Sequence, residues 1–261
     1  MKLSKITAFF CIGTPICIAL RIFQVLFTIE LKTGFYTKEY EVIGKAISAV
    51  ILAFFVLLYL FCFKYYKLPE KPPKQNIALS ISAIGLAAVT AVQSFFDIGI
   101  TLTSAWQIII IQIIGIIATL YFIWFAISKY INKTVSSLIH IIPCIFMILR
   151  TVFVFIDTSD LAHITDNLLI IATYCVVMVF FVNFAKLYNG VDSDKNFKKL
   201  LASGLVSVSL CFTQSIPHIV VNILSNNGYL HVSHIANISV LVMGIFILVF
   251  LISYFVLNKN D

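Results

Sequence analysis

Apolar residues in this chain fall into eight runs, at 6–29, 43–66, 77–99, 104–128, 136–157, 167–189, 200–224 and 235–257. A bilayer core takes about 20 consecutive apolar residues in helical form, and each run reaches that length. Helix breakers separate them. Lys67 to Asn76 holds Pro69, Pro72 and Pro73, Val191-Asp192-Ser193-Asp194 offers an N-cap, and Asn226-Asn227-Gly228 is a turn. The pattern predicts an all-α, polytopic membrane protein of eight transmembrane helices.

Polar residues inside the runs are ordered. Helix 1 carries Thr14, Arg21 and Thr28 at steps of seven, with Cys17 and Gln24 between them. Helix 5 carries Pro143, Arg150 and Asp157 at the same step. Helix 3 presents Ser80, Thr90, Ser94 and Asp97 with Gln93 beside them, and helix 7 presents Ser203, Ser207, Cys211, Gln214, His218 and Asn222. Such spacings put each set on one helix face, which must meet protein or water rather than acyl chains. Helices 2, 4, 6 and 8 are nearly all Ile, Leu, Val and Phe, with exceptions such as Gln112, Asn183 and Asn237. The expectation is an inner bundle of helices 1, 3, 5 and 7, with the even helices outside against lipid.

The pattern also repeats. Leu20-Arg21 and Leu149-Arg150 each have Pro and Cys upstream, and the two arginines are 129 residues apart. Gly115 and Gly244 share that offset, while Gln93-Ser94 and Gln214-Ser215 are offset by 121. This suggests a 4+4 internal repeat, residues 1–133 and 134–261. With an even number of spans in each copy, the copies are parallel.

Composition adds orientation. Hydrophobic residues make up 61% of the 261, charged ones 11%, against about 25% charged in soluble domains. The net charge of +7 comes from lysines that cluster in alternate loops. That is the code for membrane topology rather than for a nucleic-acid partner. It places both termini in the cytoplasm. The six cysteines lie in apolar runs without CxxC spacing and read as small core residues. His231-x-x-His234 lacks a carboxylate partner motif, so no metal and no cofactor is expected. No Ser-His-Asp, HExxH, Walker or GxGxxG pattern is present.

Arg21-x-x-Gln24 followed by Thr33-Gly34-Phe35-Tyr36 resembles a family of uncharacterised multi-span membrane proteins from anaerobic Gram-positive bacteria. The resemblance covers the first helix and the loop after it. It implies a protein of the bacterial cytoplasmic membrane and carries no activity.

The candidate chemistry lies in the intramembrane arginines. A charge at mid-bilayer costs at least about 2.5–3.5 kcal/mol, so such a residue is a candidate functional site. Guanidinium presents a rigid fork that suits carboxylate, phosphate or sulfate. The expected site joins Arg21 and Arg150 with Gln24, Gln93, Gln214 and His218 as orienting groups, and Asp97 and Asp157 as exchangeable counter-ions. It would open to the external side. The expected function is a transporter or binding subunit for an anionic solute or lipid headgroup. The alternatives are an intramembrane lipid-modifying enzyme using His218 and Asp97, and a structural or sensory subunit whose arginines are simply paired.

Overall fold

A computed structural model of the protein describes residues 3–30, 35–63, 76–96, 105–131, 136–158, 165–190, 194–225 and 234–255. They form eight helices: α1 (Leu3–Phe27), α2 (Glu41–Phe63), α3 (Ile77–Phe96), α4 (Ala105–Ile131), α5 (Ile142–Thr158), α6 (Thr165–Tyr188), α7 (Asp194–Ser225) and α8 (His234–Phe255). A 3-10 turn at Ser137–Ile141 leads into α5. All eight are long and apolar enough to cross a membrane. The chain is an all-α polytopic membrane protein.

Side-chain contacts give the direction of each helix. Thr14 meets Ser209 at 2.9 Å, and seven residues on, Arg21 lies within electrostatic reach of His218. The nearly constant offset makes α1 and α7 parallel. Thr90 meets Thr119 and a Cβ on Gly115 would meet Ser94, so α3 and α4 are antiparallel. On α7 and α8, Gly204 faces Leu251 and Cys211 faces Gly244, again antiparallel. The up-down alternation needed for eight spans follows, with the start of α1 and the end of α8 on one side. Asn76 caps α3 by accepting from the Ala78 amide at 2.9 Å. Its amide nitrogen also bonds Ser253 near the end of α8.

The layering differs from an odd-helix bundle. α7 is central, packed by α1, α2, α6 and α8, while α3 packs on α4 and α8, and α5 on α4 and α6. Of the apolar window of α7, 78% is buried, and of α8 61%, against 28% for α1 and for α2. The even helices are not a lipid-facing shell. Phe122 and Phe125 of α4, Phe180, Phe181 and Phe184 of α6, and Phe246 and Phe250 of α8 form one buried aromatic core. An all-round apolar helix can be lipid-facing or a core helix, and here aromatic rings join α4, α6 and α8. Pro143 sits in the first turn of α5, where its missing N–H costs nothing. Pro15 and Pro217 lie inside α1 and α7.

Candidate functional site

The polar face of α1 is buried as its spacing predicts: Thr14, Cys17, Arg21, Gln24 and Thr28 are all inaccessible. Arg21, 1% exposed, donates from Nη1 to Gln24 Oε1, a bond across one turn of the same helix. Gln24 Nε2 then faces three acceptors: Tyr36 Oη at 2.8 Å, Gly44 O at 2.7 Å and Ser48 Oγ at 2.8 Å. Gln24 thus holds Arg21 on one side and fastens α1 to α2 on the other. Its amide is fully used by the protein and is not a free ligand contact.

Tyr36 arrives from the segment after α1. Ile29 and Tyr36 form an antiparallel bridge, closed by Glu30 N to Phe35 O at 2.9 Å and Thr37 N to Thr28 O at 3.0 Å. The ring then lies against Gly44, where any Cβ would collide with it. Tyr36 is thus a partner of the Arg21–Gln24 pair. Arg21, Gln24 and Tyr36, members of one sequence motif, meet in space. Thr33 and Gly34 lie outside the described residues.

Across from Arg21 stands α7. The α7–α8 seam repeats every seven residues. A Cβ on Gly204 would stand 2.9 Å from Leu251 Cδ1, and one on Gly244 2.8 Å from Cys211 Cβ. One further step of seven along the seam leads to His218 on α7 and Asn237 on α8, which are 0% and 1% exposed. One turn below His218 is Gln214, 1% exposed. Neither Nε2 nor Oε1 of Gln214 has a hydrogen-bond partner among the described residues, nor do Asn237 Nδ2 and Thr213 Oγ1. Buried side-chain polar atoms in folded proteins are satisfied in the large majority of cases, by protein or ordered water. Each exception costs about 1–3 kcal/mol. A wholly unmet amide one turn from a histidine that lies in the field of a buried arginine, with the unmet Asn237 nitrogen on the adjoining helix, is a concentration of unspent polarity.

Arg150, 4% exposed, is held elsewhere, at the α5–α6 interface. Its Nε reaches Tyr174 Oη at 3.5 Å, with the guanidinium carbon 5.8 Å from the Tyr174 ring centre. No contact joins it to Arg21 among the described residues. The Asn183–Ser203 bond at 3.3 Å sets the antiparallel register of α6 and α7, which carries Tyr174 level with Phe212. Arg150 therefore lies near the level of Gln214, and Arg21 near that of His218, about one to two turns apart in depth.

The remaining expected members separate. Gln93 is buried on α3, which packs on α4 and α8, and bonds Ser239 of α8. Asp97 lies outside the described residues, and Asp157 is part of α5 with its side chain outside them. Asn237 joins the site although its helix had been assigned to the lipid face. The signal that would have found it is the shared stripe of seven: Asn237, Gly244 and Leu251 against Gly204, Cys211 and His218.

No protein-family model matches the chain, and neither does any curated protein or solved structure.

Proposed function

We propose that this integral membrane protein binds, and as a transporter or binding subunit handles, an anionic solute or a lipid headgroup. Arg21 is the cationic anchor. Gln24 positions it, His218 of α7 lies within its electrostatic reach, Gln214 is one turn from His218, Asn237 is on the adjoining α8, and Arg150 adds a second positive charge near the depth of Gln214. The observation that carries the reading is the Gln214 amide, sealed from solvent with both polar atoms unmet by protein, one turn from a histidine in the field of Arg21. A bound anion with its hydration would meet these groups. An all-protein core would have used Leu instead.

The setting in this reading is a bacterial cytoplasmic membrane with both termini inside. It rests on the lysines in alternate loops and on the resemblance of the first helix. A 4+4 duplication belongs to the same reading. It is supported by matched glycines: Gly115 lets α4 approach Ser94 of α3, and Gly244 lets α8 approach Cys211 of α7.

The test is thermal unfolding of the purified protein in detergent with acetate, glycolate, sulfate and phosphate at constant ionic strength. A ligand at a hundred times its Kd stabilises by about 2.7 kcal/mol. At least one anion should raise the unfolding midpoint of the native chain, and Arg21→Gln should remove the shift. If no anion shifts the native chain, or a folded Arg21→Gln chain shifts equally, the proposal fails.

A further inference from the structure

We infer that the anion taken at this site carries its own hydrogen-bond donor: a hydroxy-carboxylate or a protonated phosphate rather than a bare carboxylate or sulfate. The inference rests on the proposed function and narrows its ligand. It comes from counting unmet atoms. Gln214 Nε2 and Asn237 Nδ2 are donors, and each amide nitrogen offers two hydrogens. Together with Arg21 they suit anionic oxygens. Gln214 Oε1 is the opposite. It is an acceptor, buried to the same degree and equally unmet. An anion made only of acceptor atoms would leave that oxygen unsatisfied and would set its own lone pairs against it. A ligand with an O–H beside its charge satisfies both ends of the Gln214 amide at once. Thr213 Oγ1, also unmet and buried, can turn to donate or accept and does not change this count.

The arrangement also limits size and charge. Gln214, His218 and Asn237 are nearly inaccessible, so the ligand portion that reaches them is small. A buried site of this kind discriminates strongly against an analogue that lacks the hydrogen-bonding group, because the protein atom is then left dry and unpaired.

The experiment compares matched pairs on the native chain by calorimetric titration: glycolate against acetate, and phosphate against sulfate. The expected result is at least about tenfold tighter binding of the donor-bearing member. Gln214→Leu should reduce the ratio toward one while leaving weak binding that Arg21→Gln abolishes. Gln214→Met, which keeps the length of the side chain, serves if the leucine variant does not fold. Discrimination in the carboxylate pair alone, or in the phosphate pair alone, supports the inference and identifies the source of the group. Equal affinities within both pairs, still dependent on Arg21, overturn the inference and leave the anion reading standing. No binding of any probe overturns both.

Discussion

At the residue scale, Gln24 and Gln214 are two buried glutamines with opposite roles. Gln24 is saturated by protein, whereas the side chain of Gln214 is bonded to none of the described residues. Their substitution should therefore differ in sign. Gln24→Leu removes the Arg21 Nη1 bond and the ties from α1 to Tyr36, Gly44 and Ser48, and should destabilise the protein by about 1–3 kcal/mol. Gln214→Leu removes unmet polarity and should leave stability unchanged or raise it, at the expense of ligand binding. Unfolding midpoints of the two variants without ligand check this. Equal destabilisation would mean that Gln214 is a structural amide. Arg21-x-x-Gln24 was legible as a motif because its members lie one turn apart. The part played by Tyr36 was not, since it depends on a bridge between Ile29 and Tyr36 that brings the ring back over Gly44.

At the element scale, the α7–α8 seam decides the site. Gly204 and Gly244 allow the two helices to close, because each lacks the Cβ that would strike Leu251 or Cys211. Gly244→Val should push α8 away and lower the yield of folded protein, a larger effect than the same change at Gly190, around which there is open space and where only the positive φ of 65° is at issue. The third layer can be tested directly. In a chain freed of its native cysteines, His218→Cys with Asn237→Cys should form a disulfide on mild oxidation. Thr14→Cys with Ser209→Cys should do the same across the parallel α1–α7 pair. A pair that stays reduced, while its single variants fold, would place those faces apart.

At the scale of the whole molecule, eight alternating spans require that the start of α1 and the end of α8 share a side. The lysine distribution leads us to propose that this side is the cytoplasm. A single cysteine at Lys38, exposed in the segment before α2, should react with a membrane-impermeant maleimide added to intact cells, and one at Lys5 should react only after lysis. The reverse pattern would invert the protein and put the Arg21 layer toward the cytoplasm.

The number of helices, their approximate ends and the buried face of α1 were settled by sequence alone, because hydrocarbon solvation acts on every residue of a span independently of its neighbours. Arg21, Gln24, Gln214 and His218 were visible for the same reason: a polar atom in an apolar run has to be accommodated. What the tertiary structure decided is which helices share a core. Burial of an apolar residue gains little over lipid, so composition does not distinguish a phenylalanine in the α4–α6–α8 core from one facing acyl chains. Close approach at glycine, ring-to-ring packing and helix register make that choice. They hold Arg150 at Tyr174 and leave Gln93 with Ser239.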